Sequence, residues 1–444
     1  MYYYFMSLKS YAVLSIKNRY SVMSAVLRHN MRKIFSLAAF RELSWHSMSQ
    51  FYGQMLSFLG VMLVSRYLGP VNLGLYSFVQ NYINIFFTVL TGMDFYFTWQ
   101  LARSHEVAKT IYNYIAAKFV IGLLAIIFGV TISWMLLPRD VAILSTFMFV
   151  PLIFSALTPF WLYALREKMA KQAAIIFSIA ATFIFLSKVF IVIAGGSLAM
   201  FVLVSSVDII VIHTLMCFYF LHKKYWRDQA GANLRTSFRE ISGLLKFSSV
   251  SIVYVFLWQI VMRADQLMLP AIKGAYELGI YAAAVKVSEV PNILVSLLGM
   301  VVFSRMINIV DSSAEHEKKQ TKRIMNVHIL AGLASSFFII IFAPLLVSII
   351  FGGKFLDSVP VLRIYAMSIP GLFVTYYFVA VFAAKEMQKV LAWHALVIGA
   401  FTIILLYILT IGFGTLGTAF ASVITYSLSA FSLYYLWLRK IHAK

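Results

Sequence analysis

Lys286 and Glu289 stand out because they carry charge inside a long apolar run of this chain. Lys286 lies eight residues beyond Leu278, so a helix that begins there would carry it about 12 Å along its axis. A lysine at that depth in a membrane has difficulty in reaching the headgroups. Charges inside spanning helices are rare and usually functional. Lys286 is therefore a candidate binding residue, and a structural ion pair with Glu289 is the alternative.

Three further charged residues interrupt apolar runs. Arg263 and Asp265 are two positions apart, so a helix would direct them to different faces, with Gln259 on the face of Arg263. A binding role, a helix cap and a bridge between two halves of the molecule all remain open for this pair. Asp208 lies ten residues inside its run, where a carboxylate can bind a proton or Na⁺, or can only bond to a neighbouring segment.

Uncharged polar residues form two stripes at helical spacing, and each stripe would face other helices or a wet cavity. The stripes are His46, Gln50, Gly53 and Ser57 in one run, and Ser77, Asn81, Asn84 and Thr88 in the next. Helix packing and a cavity are equally good explanations of the first stripe, whereas a cavity is favoured for the second. Near the ends of their runs, Lys118 and Lys188 are predicted to reach the headgroups, and Asp94 is predicted to cap a helix.

A short motif occurs twice at a constant offset of 205 residues. Gly69, Leu73, Gly74 and Tyr76 match Gly274, Leu278, Gly279 and Tyr281, and Gln54 matches Gln259. The same offset places Asn81 on Lys286 and Asn84 on Glu289. Two copies of one unit would bring these polar faces together near a central axis, which predicts a cavity there.

The composition indicates a polytopic helical membrane protein. The chain has 444 residues, of which 62% are hydrophobic and 12% charged, and its mean hydropathy is +0.87. Soluble domains carry about 25% charged residues. The net charge of +21 is explained by basic cytoplasmic loops, so no nucleic-acid partner is expected. The single cysteine, Cys217, excludes an intrachain disulfide, and no metal site is predicted.

Hydropathy predicts twelve membrane spans. They are 44–65, 73–93, 113–136, 141–164, 172–194, 198–221, 247–269, 278–301, 324–343, 360–383, 390–411 and 415–438. One side of the membrane would hold 28 Lys and Arg residues and the other only 4. Both termini are therefore expected in the cytoplasm. Since each half has an even number of spans, the pseudo-twofold axis would run along the membrane normal.

The predicted organisation has two lobes of six helices each. The segments are a basic cytoplasmic N-terminal segment 1–43, an N-lobe 44–221, a cytoplasmic linker 222–246, a C-lobe 247–438 and a cytoplasmic tail 439–444. Residues 1–30 precede the repeat unit and are expected to be dispensable. No catalytic signature is present, and the periplasmic connectors are short, so a transporter is predicted and not an enzyme.

Several motifs resemble one known family. Arg66–Tyr76 resembles the turn after the first helix of the polysaccharide flippases of the multidrug/oligosaccharidyl-lipid/polysaccharide (MOP) superfamily. Asp265–Leu269, Glu277–Tyr281 and Lys286–Glu289 resemble its seventh and eighth helices, and Ile350–Ser358 resembles the segment before its tenth. The likeness covers residues 34–440. It implies the MOP fold, which is shared with the MATE transporters.

The resemblance further implies an O-antigen flippase of the Wzx type. Such a protein moves an undecaprenyl-diphosphate-linked oligosaccharide across the bacterial inner membrane by alternating access. A polysaccharide polymerase and a chain-length regulator are the implied protein partners. No cofactor is expected beyond coupling to H⁺ or Na⁺. The expected cavity residues are Lys286, Glu289, Asn81, Asn84, Arg263, Gln259 and Gln54, and Asp265 and Asp208 are the candidates for ion coupling.

Three alternatives remain open. A drug/cation antiporter of the same superfamily would favour acidic residues in an apolar pocket, whereas the charges here are mixed. A lipid II flippase usually carries two further helices, for which the hydropathy shows no spans. A membrane enzyme, such as an O-antigen polymerase or ligase, would need a large periplasmic loop, and the predicted connectors are short.

Overall fold

The structure, a computed structural model, describes residues 37–104, 106–167, 169–222, 238–295, 298, 314–385 and 387–442. Every regular element within those ranges is a helix. A membrane favours helices because each backbone amide is bonded within its own segment, where no water is available. Most of the predicted N-terminal segment lies outside the described residues. So do residues 223–237 of the predicted linker, and residues 296, 297 and 299–313, which include the end of the eighth predicted span.

The first half of the chain folds into helices that follow its apolar runs. They are α1 (Leu37–Gly92), α2 (Asp94–Arg103), α3 (Val107–Leu136), α4 (Arg139–Phe149), α5 (Thr158–Arg166), α6 (Ala170–Ile193) and α7 (Leu198–His222). The fourth predicted span is divided, because a 3₁₀ segment, Val150–Leu157, separates α4 from α5. Pro151 lies in this segment and removes an amide hydrogen from the helical pattern.

The second half repeats the succession of long and broken helices. They are α8 (Phe238–Lys273), α9 (Ala275–Ser288), α10 (Ala314–Ile350), α11 (Ser358–Ala366), α12 (Ile369–Ala384) and α13 (Gln388–His442). Helix α8 begins inside the segment predicted as the linker. Helices α11 and α12 meet at an angle of 44° where the tenth span was predicted.

Helix α13 folds back on itself at Gly414, whose φ of 61° lies in the left-handed region that favours glycine. The hydroxyls of Thr410 and Thr418 are 2.8 Å apart, and those of Thr402 and Thr425 are 3.2 Å apart. These pairs share nearly the same midpoint in the chain, so the two arms of α13 run antiparallel. The eleventh and twelfth predicted spans coincide with these arms.

The described residues contain eight helices that are long and apolar enough to span a membrane, or nine if α11 and α12 form one bent span. Two of them, Ser44–Thr98 and Gln388–Arg439, have 55 and 52 residues. As unbroken helices they would each extend about 80 Å at 1.5 Å per residue, against a hydrocarbon core of about 30 Å. Gly69, with a φ of 72°, interrupts the first as Gly414 interrupts the second. Both have the length for two crossings, and the total of twelve spans stays a prediction.

The two motif copies meet where α1 crosses α9. A Cβ added to Gly74 would lie 2.0 Å from the carbonyl oxygen of Ala275, and one added to Gly279 would lie 1.9 Å from that of Pro70. Pro70 and Ala275 are equivalent at the repeat offset, as are Gly74 and Gly279. The contact is therefore reciprocal, as expected for two units related by a twofold axis. Glycine is required at both positions because backbone fills the space.

A second pair of contacts is also repeated between the halves, although Ser205 and Ser422 are 217 residues apart and not 205. The Tyr76 hydroxyl is 2.5 Å from the Ser205 hydroxyl, and the Tyr281 hydroxyl is 3.1 Å from the Ser422 hydroxyl. In each half, the tyrosine that ends the motif thus reaches the last long helical arm of its own half. The boundaries of the two predicted lobes stay predictions, but these contacts are arranged as two copies of one unit would arrange them.

Candidate functional site

A cluster of three charged side chains joins α8 to the end of α9. The Arg263 guanidinium donates to Glu289 Oε1 at 2.7 Å, and Lys286 Nζ lies 3.5 Å from Glu289 Oε2. Glu289 follows the last residue of α9, so its carboxylate can turn toward both helices. Two cations share one carboxylate, which leaves the cluster with a net charge of +1. The structure brings together Arg263, Lys286 and Glu289, which are three of the residues expected to line the cavity.

Lys286 and Arg263 differ in their remaining capacity to bind a ligand. An ammonium has three donors, and in the described part of the chain Lys286 uses one, at the long distance of 3.5 Å. Its side chain is 28% exposed. Arg263 is held at the shorter distance, which favours a structural role. The predicted alternative, a Lys286–Glu289 ion pair, is therefore present, but Arg263 is the closer partner of that carboxylate.

The carboxylate of Asp265 forms its hydrogen bonds with residues of the second half. Its Oδ2 accepts a hydrogen bond from the Tyr281 hydroxyl at 2.6 Å, and its Oδ1 accepts one from the backbone amide of Gln266 at 2.7 Å. Only 3% of Asp265 is exposed. Tyr281 and Gln266 are uncharged, so the pattern of charged residues in apolar runs did not identify them as part of this site. Tyr281 could still have been noted, because the repeat matches it to Tyr76.

The halves also meet through amides. Asn81 on α1 donates to Gln266 Oε1 on α8 at 2.9 Å, and Asn81 is buried. Asn84 is exposed, and Gln259 is half-buried. The structure thus places Asn81 in the contact between halves, where its partner is Gln266, which was not among the expected cavity residues.

Gln54 and Asp208 line a different pocket, which lies within the first half. It encloses about 230 Å³ between α1, α6 and α7, and Lys188 also lines it. Gln50 and Ser57, from the first polar stripe, line it as well. The structure therefore separates Gln54 from the charged cluster with which the repeat grouped it.

Two expectations for lysines are wrong. Lys118 does not reach the headgroups, since it is 1% exposed and forms an ion pair with Asp94. Asp94 makes no capping hydrogen bond and lies in the first turn of α2, after Met93. Lys188 is 9% exposed and lines the pocket of Asp208. A carboxylate lies near each lysine, Asp94 near Lys118 and Asp208 near Lys188, and this is the physical reason. Hydropathy contains no information on which helices become neighbours.

A family of known proteins matches most of the chain. The family described as "Polysaccharide biosynthesis protein" matches residues 39–310, which is more than half of the sequence. The chain belongs to this family. No curated protein sequence matches at a significant level.

Solved structures with the same fold are transporters. The inward closed conformation of the lipid II flippase MurJ has a TM-score of 0.71 at 14% identity, covering 88% of this chain and 86% of that one. An inward-facing multidrug resistance MATE transporter of the MOP superfamily has a TM-score of 0.68 at 14% identity, covering 88% and 95%. A MOP superfamily transporter from Pyrococcus furiosus has a TM-score of 0.66 at 12% identity, covering 90% and 96%.

These comparisons confirm the predicted superfamily and its all-helical fold. The chain is thus a multi-pass membrane protein of the MOP fold, and its family and fold neighbours are not enzymes. Within the described residues, no three His, Cys, Asp or Glu side chains are grouped so that they could hold a metal ion.

Proposed function

We propose that this protein is a flippase for a lipid-linked oligosaccharide. The substrate would be an undecaprenyl-diphosphate-linked repeat unit of O-antigen or a related polysaccharide. It would cross the bacterial inner membrane from the cytoplasmic to the periplasmic leaflet by alternating access. The family description supports a role in polysaccharide biosynthesis, and the fold supports transport.

The cationic cluster is the observation that carries this proposal. Arg263 and Lys286 belong to α8 and α9, and both helices contact α1 of the other half. Alternating access moves two halves against each other, so a ligand site is expected on the helices that face across this contact. A net positive charge there, inside an apolar part of the chain, needs an anionic partner.

A diphosphate suits this cluster better than a drug cation does. Lys286 can donate to phosphate oxygens with the donors that Glu289 leaves unused. Glu289 is occupied by two cations, so it offers little attraction to a cationic drug. Arg263 would act by fixing Glu289, which in turn orients Lys286. The exposed amide of Asn84 and the half-buried amide of Gln259 are suited to sugar hydroxyls.

Ion coupling is assigned in this proposal to Asp208 more readily than to Asp265. Asp265 already accepts two short hydrogen bonds in a buried position. Asp208 faces an open pocket with Lys188, where a proton or Na⁺ can enter. Both termini would lie in the cytoplasm, and a polymerase and a chain-length regulator would be the partners that use the product.

Replacement of Lys286 tests the proposal. We expect Lys286→Ala to abolish movement of a fluorescent undecaprenyl-diphosphate oligosaccharide across proteoliposomes, because the diphosphate loses its cation. Lys286→Arg should retain part of the activity, since the charge persists with another geometry. Lys354→Ala, which removes an exposed lysine from a connector, serves as the control and should move substrate as the wild type does.

Three results would contradict it. Wild-type transport by Lys286→Ala would remove Lys286 from the site. Transport of ethidium, but not of the lipid-linked sugar, by the wild type would favour the antiporter. Polymerisation or transfer of the sugar would favour the enzyme.

A further inference from the structure

A second pocket lies outside the charged cluster. It encloses about 600 Å³ between the end of α2, the start of α3 and the start of α8. Ligand pockets in proteins usually enclose about 300–1,000 Å³. All three helix ends belong to connectors that the charge distribution predicts to be cytoplasmic. The α2 and α3 residues belong to the first half, and the α8 residues lie in its first turns, within the segment predicted as the linker. The pocket therefore lies where the two halves are joined.

The charge of this pocket is opposite to that of its surroundings. Glu106 and Glu240 line it with a single cation, Lys109, which gives a net charge of −1. The predicted cytoplasmic side is otherwise strongly basic. A diphosphate would be repelled from this pocket, whereas a neutral polyhydroxyl ligand would not be.

The remaining lining groups are suited to sugar hydroxyls. Gln100 and Asn113 contribute amides, each able to donate and accept. The Gln100 Oε1 atom is buried and has no hydrogen-bond partner in the described part of the chain. A buried acceptor without a donor is costly, so a ligand hydroxyl at that point would be favourable. Tyr96 adds an aromatic ring, against which the apolar face of a pyranose can pack.

We propose that this pocket receives the glycan of the lipid-linked substrate on the cytoplasmic side, before the diphosphate reaches the charged cluster. The ligand class is a neutral oligosaccharide of hexopyranose units. This inference rests on the proposed flippase function and adds a second subsite to it. The lipid carrier and the diphosphate would remain outside the pocket.

An ion pair across the pocket supports a role in entry. Lys109 Nζ lies 3.1 Å from Glu240 Oε1, and Asn113 approaches the other carboxylate oxygen at 3.5 Å. These two contacts join α3 of the first half to α8 of the second. The two charged side chains are 32% and 36% exposed, so water weakens their attraction. Sugar hydroxyls can replace these contacts with Glu240 when the halves separate.

Gly243 gives a direct way to fill the pocket. It lines the pocket, and a Cβ added there meets nothing within 4 Å. Gly243→Trp should therefore occupy the space of the ligand without displacing backbone. The probe is the host's own repeat unit, released from its lipid by mild acid, and the measurement is saturation-transfer NMR on the full chain in nanodiscs.

We expect saturation transfer to the free glycan with the wild type and its loss with Gly243→Trp. Gly243→Ala and Gly353→Trp should retain the signal, because the first leaves the pocket open and the second places the same large side chain at another open glycine. Gln100→Leu should weaken binding about two- to tenfold, the range for one uncharged hydrogen bond. It provides a test even where Gly243→Trp does not fold.

Two results would overturn the inference: no signal with the wild type, or an undiminished signal with both Gly243→Trp and Gln100→Leu. Failure of the flippase proposal is seen separately. The Lys286→Ala variant changes the other subsite. It should therefore still bind the free glycan while it fails to move the lipid-linked form. Glycan binding without any wild-type transport would reject the flippase, whereas transport with unchanged glycan binding in the pocket variants would reject only the pocket.

Discussion

Burial and pairing determine what each charged side chain of this protein can contribute. Lys118 and Asp94 are paired in a dry environment, where a single charge left alone is costly. Lys109 and Glu240 are paired at a surface that water reaches, where an ion pair contributes little. Lys286 lies between these extremes, with one long contact and part of its surface open. Of these three lysines, Lys286 combines retained charge with the capacity to bind a ligand.

The buried pair predicts a strong effect on stability. Lys118→Met or Asp94→Asn should each lower the free energy of unfolding by about 3–5 kcal/mol, because each leaves one unpaired group in the interior. The double variant Lys118→Met/Asp94→Asn should recover much of that loss. Unfolding in mixed micelles measures all three. Lys109→Met is the matched control and should change stability by about 0–1 kcal/mol. An additive double variant would show that the two residues do not act as a pair.

At the scale of single residues, the sequence predicted the charged cluster but not its internal order. The repeat placed Lys286 and Glu289 in one site, and the structure adds Arg263 as the closer partner of the carboxylate. Three-residue spacing on a helix indicates proximity of Lys286 and Glu289. A contact between Arg263 and Glu289 depends on the packing of α8 against the end of α9, which no local pattern encodes.

The boundaries of helices in this protein were predictable where a glycine interrupts an apolar run. Gly69 and Gly414 divide long helices at the predicted turns, and both have positive φ. The division of α4 from α5 was missed, since the hydropathy of residues 141–164 is continuous across Pro151. Repeat analysis identified the motif glycines. Their contact with carbonyl oxygens of the opposite half became visible only in three dimensions.

The glycine crossing predicts a specific failure of packing. Gly74→Ala and Gly279→Ala should each lower the free energy of unfolding by about 1–3 kcal/mol, because the added methyl group forces α1 and α9 apart. The double variant should cost less than the sum of the two, since one separation of the helices accommodates both methyl groups.

Gly243→Ala is the matched control for these variants. It lies in helix α8 with open space around it, so alanine should be neutral or stabilising by about 1 kcal/mol. The measurement is unfolding in mixed micelles. Unchanged stability of Gly279→Ala would show that the two halves do not approach as closely as the structure indicates.

The whole molecule is expected to expose opposite sets of connectors on the two sides of the membrane. In a Cys217→Ser background, cysteines at Ser197 and Lys354 should react with an impermeant maleimide in intact cells. A cysteine at Lys319 should react only after the cells are opened. All three positions are exposed. The physical reason is the distribution of Lys and Arg, since the predicted cytoplasmic side holds 28 of them and the other side only 4. Labelling at Lys319 in intact cells would show that this connector lies outside the cell and that the predicted topology is wrong.

The reciprocal glycine crossing also bears on how such a chain can arise by duplication. Suppose that a half-length ancestor paired with a second copy of itself. One glycine codon would then have served both contacts, because each copy meets the other through the same position. After fusion of two such genes, each glycine still faces a carbonyl oxygen and neither can change alone. Asn81 and Lys286 contact side chains, Gln266 and Glu289, instead of backbone, and a side chain can change together with its partner. Divergence of Asn81 from Lys286 is therefore free to proceed, and an asymmetric path can evolve inside a symmetric frame.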